Sequence, residues 1–296
     1  MRNKKKIIII SILLSLAGAT GVFVYGFFGG GVSGPSAAPN LAEHGLVGYW
    51  NMEEGKGQTI SDRSGNGNNG TLGADSSVGK DDPVFTSGYS SSGPGGTGLK
   101  FDGKDDYVTS ASNIDITTAF TFSAWVKNST VANSLVGIFN YGPTNGYGGN
   151  IAINTRSYTG GLVTTVLNAG GITLNTDWGV FSSYIDHHLA VTYDNTLPSN
   201  NLKIYIDNIL KAQANYTVSI INTNKNIRIG YAAANWYYMF HNGSLDDLRV
   251  YNRALSADEI RQLYNQKKPI LEWKFDEGSG TTVHDEGFNN NDGTLH

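Results

Sequence analysis

The stretch FTFSAWVK, Phe120 to Lys127, decides the fold. Phe120, Phe122, Ala124 and Val126 fall on one side of an extended chain and Thr121, Ser123 and Trp125 on the other, because successive side chains of a strand point to opposite faces. Alternation with a period of two describes a half-buried strand and not a helix. Working outward, short apolar or alternating runs recur at Leu162 to Leu167, Leu189 to Tyr193, Leu202 to Ile206, Ile227 to Tyr231 and Leu245 to Tyr251. Clusters of Gly, Asn, Asp and Ser, the turn-forming residues, separate them. Most of these strands can hide only one face, so a second sheet must cover them, and the expectation is an antiparallel β-sandwich.

Composition agrees. The 296 residues include 38 Gly, 16 Tyr, 12 Phe and 5 Trp but only 16% charged residues, a usage that suits many short strands joined by tight turns. The absence of cysteine excludes a disulfide framework, a thiolate metal site, a cysteine nucleophile and a lipid-modified cysteine. Arg2, Lys4, Lys5 and Lys6 carry four positive charges, so the formal charge of −4 becomes −8 for the chain beyond them. An acidic surface repels phosphate backbones, which argues against a nucleic-acid partner.

The two ends have their own signals. Behind the basic cluster, Ile7 to Phe28 is a run of 22 residues without a charge, long enough to span a bilayer, and residues 1–28 read as a signal anchor or signal peptide. Ala17-Gly18-Ala19 offers a small-residue cleavage site for the second alternative. Either way the bulk of the protein is expected at the extracellular face of the membrane or secreted. Residues 29–40, GGGVSGPSAAPN, have the composition of a flexible stalk, and the folded part is expected over 41–265. Its one predicted helix, Ala257 to Asn265, is announced by Ser256 with Glu259 three residues on, the capping-box spacing. Residues 266–269 read as a linker. Beyond it, Glu272 to Leu295 repeats Tyr49 to Leu72 at a constant offset of 223, with 11 of 24 pairs identical, so 270–296 reads as the truncated start of a second copy of the domain.

Taken as an ordered series, GLVGYWNMEEGKGQTISDRSGNGNNGTL, GLKFDGKDDYV, FTFSAWVK, HHLAVTYD, LKIYIDN and GSLDDLRVYNRALSADEIRQLY resemble the laminin-G-like domains of bacterial and archaeal surface proteins. The resemblance spans nearly all of residues 46 to 264. It implies an all-β, concanavalin A-like jelly roll with one short C-terminal helix, whose first and last strands lie side by side. Two departures stand out: Asp186 replaces a usual Trp before the His-His pair, with Trp178 nearby to fill its volume, and Asn208 replaces a usual turn Gly. Asn tolerates the left-handed conformation, so the hairpin is expected to survive.

Candidate chemistry falls in three groups. Oxygen-rich loops around Asp62, Asn66 and Asn68, and around Asp246 and Asp247, supply the ligand type that calcium needs, and the resemblance would let them converge on one structural ion. Turn formation explains the same residues without an ion. Asp102, Asp105 and Asp106 read as a hairpin loop of solvated acids. For ligand binding, Trp236, Tyr237 and Tyr238 form the densest aromatic group and Tyr141 and Tyr147 another, since sugars present C–H faces to rings. Adjacent strand residues face opposite sides, so of His187 and His188 one is expected in the core and one in solvent, with no shared metal.

Catalysis has little to stand on. Glycosidases need two acidic side chains across the bond, and no Glu occurs between Glu54 and Glu259. The reading is therefore a non-catalytic extracellular binding or adhesion module for carbohydrate or a surface protein. Against it stand a glycan-active enzyme of the same fold and a purely structural spacer.

Overall fold

The computed structural model of the protein describes residues 44–87, 96–110, 114–129, 134–142, 151–157, 162–167, 172–177, 179–216, 220, 227–234, 237–266, 273, 275, 277–284 and 292–294. The expected anchor over 1–28, the stalk over 29–40 and Trp178 lie outside the described residues. Among the described residues no helix is long and apolar enough to cross a membrane.

The chain divides into two compact units, and the larger, Pro39–Lys267, is an antiparallel β-sandwich. Its first strands are β1 (Leu46–Trp50), β2 (Thr59–Ile60), β3 (Gly70–Leu72), β4 (Val84–Ser87), β5 (Thr97–Asp102) and β6 (Val108–Ser110). The middle of the unit supplies β7 (Ala119–Asn128), β8 (Ser134–Tyr141), β9 (Ile151–Ser157), β10 (Leu162–Leu167), β11 (Ile172–Asn175) and β12 (His187–Asp194). Then follow β13 (Leu202–Ile206), β14 (Ile209–Ala214), β15 (Ile227–Ile229), β16 (Tyr231–Ala234), β17 (Tyr237–Phe240), β18 (Asn242–Tyr251) and α1 (Ala257–Asn265). One sheet runs β14-β13-β12-β7-β18-β5-β4, with β1 also on β18, and the other runs β11-β10-β9-β8-β15-β6-β3-β2.

The strand β18 organises the first sheet. It pairs with β7 on one side, and on the other with β5 at its start and with β1 at its end, which sets the first and last strands together. The inner face of β7 is the one that alternation predicts: Phe120, Phe122, Ala124 and Val126 are all fully buried. Phe122 meets Phe139 of the facing sheet with ring centroids 4.9 Å apart, so the two layers close on aromatic contacts. Each such side chain stabilises the sandwich by roughly 1.5–3 kcal/mol through the apolar surface it removes from water.

The helix has the predicted bounds and both bonds of the capping box: Ser256 accepts from the Glu259 N–H, and the Glu259 carboxylate accepts from the Ser256 N–H. It covers the outer face of the first sheet, where Ile260 and Leu263 pack with Leu46, Ala190, Tyr205, Tyr251 and Leu255. That cover corrects the expectation for the histidine pair. His188 does point away from the sandwich core, but Trp125 and Tyr264 of the helix flank its ring, and both histidines are buried. Asp207 and Asn208 take φ of +51° and +66°, so the β13–β14 turn holds two left-handed residues without the usual Gly.

In the smaller unit, which includes Lys268–His296, β19 (Thr282–Val283) pairs with β20 (Gly293–Thr294). Thr282 faces Thr294 and Val283 faces Gly293, the register in which Thr59 faces Thr71 and Ile60 faces Gly70. The Glu277 carboxylate accepts from the His284 N–H as Glu54 accepts from the Ser61 N–H. Positive φ values also recur in step, at Met52 and Phe275, Gly55 and Gly278, and Gly57 and Gly280.

Candidate functional site

The strongest candidate surface lies on the outer face of the second sheet, and a glycine creates it. Gly137 lies in β8, and a Cβ there would sit 2.2 Å from the Ala232 nitrogen and the Met239 oxygen. Only a residue without a side chain lets the backbone of the β16–β17 hairpin press onto the sheet this closely. Ala152, Ala232 and Met239 fill the contact, and the Asn140 side-chain oxygen accepts from the Ala233 N–H at 3.3 Å. Gly137→Ala is expected to destabilise the fold by about 1–3 kcal/mol, the range for overpacking, in a denaturant titration. An unchanged midpoint would show that the hairpin is free to lift off.

The hairpin completes a row of rings. Tyr238 stacks on Tyr231 with centroids 6.3 Å apart and planes 28° off parallel, and Phe240 meets Tyr231 edge-on at 5.4 Å. Tyr107, one residue ahead of β6, lies 6.4 Å from Tyr231. Arg228 sits between them, its guanidinium carbon 4.8 Å from the Tyr107 centroid and 5.2 Å from that of Tyr231. Arg228 points outward because its neighbours Ile227 and Ile229 fill the core, and it stands in register with Thr109 on one side and Asn140 on the other. Tyr238 is 56% exposed, while Tyr107, Arg228 and Phe240 are half-buried. Burial pushes the Tyr231 phenol up to about 12 against the pull of Arg228. It therefore stays a neutral hydrogen-bonding group at any ordinary pH. The surface offers one open ring face and a cation already stacked on aromatics, an arrangement suited to binding.

Of the predicted aromatic residues, Tyr238 belongs to this platform. Tyr237 is in β17 but its side chain, like Trp236 and Tyr147 altogether, lies outside the described residues. Tyr141 is corrected: it is fully buried, and its hydroxyl donates to the Ile114 carbonyl at 3.0 Å while accepting from the Ile116 N–H. It is the last residue of β8, paired with Ile227 and Ile151, and so is part of the core. Sequence reasoning misses Tyr107, Arg228 and Tyr231, although the cation between two isoleucines in Ile227-Arg228-Ile229 is a visible sign of an outward side chain.

The predicted metal-ligating residues are hydrogen-bonded within the fold. Both Asp62 oxygens are taken up in their own loop, by the N–H groups of Tyr49, Ser64 and Asn68 and by the Ser64 hydroxyl. The side-chain amides of Asn66 and Asn68 donate to the carbonyls of Leu46 and Val47. This loop is a clamp on β1. Asp247 accepts from the Tyr49 hydroxyl and pairs with Arg249, while Asp246 accepts from the Asp247 N–H. Tyr49 bridges the two clusters, with its backbone N–H on Asp62 and its phenol on Asp247. Among the described residues, the only acidic group whose oxygens converge within 4.8 Å is Asp102, Asp105 and Asp106. Two of these three already pair with lysines, Asp102 with Lys104 and Asp105 with Lys80.

Comparison with known proteins fits this architecture. The family of laminin-G-like domains in the concanavalin A-like lectin/glucanases superfamily matches residues 102–261, and the chain belongs to that superfamily. A search of the curated proteins found no match. Among solved structures, domain 4 of AbnA, a GH43 extracellular arabinanase from Geobacillus stearothermophilus in complex with arabinotriose, is similar with a TM-score of 0.55 and 18% identity, covering 75% of this chain and 99% of that one. The receptor-binding domain of botulinum neurotoxin D gives 0.56 and 15%, over 79% of this chain and 56% of that one. A Trypanosoma rangeli sialidase gives 0.51 and 16%, over 74% and 32%. At these identities the likeness is one of fold.

Proposed function

We propose that the protein is a non-catalytic, extracellular glycan-binding module, secreted or held at the membrane by its N-terminal segment, that meets its ligand at the Arg228–tyrosine platform. The observation that carries this reading is Tyr238, a large ring left 56% exposed on a hairpin that Gly137 holds against the sheet. An exposed ring on a rigid element presents a flat apolar face at little cost in conformational entropy, which is what the C–H face of a sugar needs. The platform's described side chains are tyrosines, Phe240 and Arg228, and none of them is the carboxylic acid that glycosidic cleavage uses. The arabinanase domain, solved with arabinotriose, and a botulinum neurotoxin binding domain, solved with SialylT, lend the reading analogy.

The test is a glycan-array screen of the full chain, followed by titration of the hits. Tyr238→Ala is expected to weaken binding by about tenfold, one ring contact's worth, while leaving the melting temperature unchanged because the ring is mostly in solvent. Release of reducing ends from any bound glycan would transfer the protein to the enzymes of this fold. Unaltered affinity in the variant would move the site elsewhere. The matching hairpins in the two units favour use in multiples, in which weak sites add through avidity.

A further inference from the structure

We propose that the platform selects glycans that carry a carboxylate, with Arg228 as the residue that recognises it; this rests on the glycan-binding reading above. Three observations converge. Arg228 lies on the outer face of the second sheet, and among the described residues no carboxylate pairs with it. The other arginines with described side chains find anionic partners: Arg63 with Glu54, Arg249 with Asp247, Arg253 with Glu259 and Arg261 with Asp258. In a chain this acidic, one unclaimed arginine on a face that also bears an exposed tyrosine is a distinct electrostatic feature.

The geometry gives that arginine a use. Its guanidinium carbon lies over two rings and the group hydrogen-bonds the Tyr231 hydroxyl, while the N–H donors that remain are the part of an arginine that takes a carboxylate, through two parallel hydrogen bonds. Contact with Tyr107 and Tyr231 already restrains the group, so less side-chain freedom is lost when the anion arrives. Tyr238, stacked on Tyr231, lies one ring further along the row, where a pyranose bearing or adjoining the acid would stack. A ring-borne carboxylate occurs in uronic acids and in sialic acids, and the chemistry on this face is the same for both.

The test uses the full chain and four probes: oligogalacturonate, its fully methyl-esterified form, 3′-sialyllactose and lactose, titrated by calorimetry. Within at least one pair the acid is expected to bind about tenfold more tightly than its neutral counterpart, a charge-assisted bidentate contact's worth, and the pair that shows it names the source of the acid. The margin should shrink in high salt. Arg228→Gln should remove the margin, so that acid and neutral members of the pair bind that variant equally, and Arg228→Lys should restore only part of it. Tyr238→Ala should weaken acid and neutral probes alike. Equal binding of acid and neutral members in both pairs would overturn the inference and leave the glycan-binding reading standing. A folded protein, judged by its melting curve, that binds none of the probes and nothing on the array would overturn both. Retention of the margin in Arg228→Gln would assign the acid to another residue and overturn the recognition role of Arg228.

Discussion

Stability is expected to fall steeply as the pH drops from about 6.5 to 4, and two buried histidines are the reason. His188, under the helix, and His241, edge-on to Phe101 at 5.6 Å, are both held near a pKa of about 4. Burial is the main cause for each. For His188 the carboxylates of Asp247 and Asp207 oppose the shift while Arg249 adds to it, and for His241 backbone groups of Ser244 and Lys127 pull the other way. An unfolded histidine takes up its proton near pH 6.5, whereas the folded ones stay neutral until about 4, so within that window the unfolded chain binds more protons. Stability is therefore whole above the window and is lost as pH falls through it, by up to roughly 3 kcal/mol for each histidine. Asp106 works in the opposite sense. Burial pushes its carboxyl up to about 6, so it contributes stability that is lost as pH rises through that value. Two histidines outweigh one carboxyl, and the net slope below pH 6.5 is acid-labile. Urea denaturation at half-unit steps should show it, and in His188→Gln or His241→Gln the slope should nearly vanish between about pH 4 and 6, where Asp106 offsets the histidine that remains, whatever the absolute stability of each variant. A flat profile from 6.5 to 4 would mean that the rings are reached by water in the native state.

The largest single-residue effect is expected at Asp247. The LDD stretch forms a bulge in β18, with the pairing to β7 slipping between Asp246 and Arg249 and Asp247 at φ of +54°. The bulge turns the Asp247 side chain onto Arg249, whose guanidinium lies 4.1 Å from the Tyr49 ring centroid, and Tyr49 donates its hydroxyl to the same carboxylate at 2.8 Å. Asp247 is 1% exposed and Arg249 7%, so neither charge has water to fall back on. Asp247→Ala leaves the guanidinium buried and unpaired, and the loss should be about 3–5 kcal/mol by denaturant titration. The left-handed backbone adds to it, since alanine dislikes that region by roughly 1–2 kcal/mol. Asp247→Asn, which tolerates the backbone and keeps the phenol contact, should lose less. Adding Arg249→Met to Asp247→Asn should recover part of the loss, because it is the stranded charge that costs most. A loss no larger than that of a surface Asp would show that the pair is solvated.

How much of this can be read beforehand follows from the range of the forces involved. Alternation around Phe120 to Val126 and the Ser256–Glu259 cap are local, and the structure holds both as the residues dictate. The burial of His188 depends on a helix some 70 residues further along the chain, and strand alternation alone puts an outward ring in solvent because it cannot see that cover. The aspartates show the same limit: a row of letters marks Asp62 and Asp247 as oxygen-rich positions but does not show that Tyr49 donates to both, since the 13 and 198 residues between them close only in the fold. The platform is legible in only one of its parts: Tyr238 belongs to a run of aromatics, whereas Tyr107 comes from a segment some 120 residues before Arg228 and Tyr231 and meets them only when β6, β15 and the hairpin are folded.

The paired hairpins of the two units bear on how such bends are written. Two 24-residue passages that agree at 11 positions reach the same cross-strand partners, the same carboxylate-to-amide tie and the same three left-handed turns, so the differing positions are spelling and the shared ones are grammar. The shared letters include Glu54 and Glu277, Gly55 and Gly278, and Gly57 and Gly280. Whoever transplants this corner into another scaffold should carry those over first and leave the rest to suit the new surroundings.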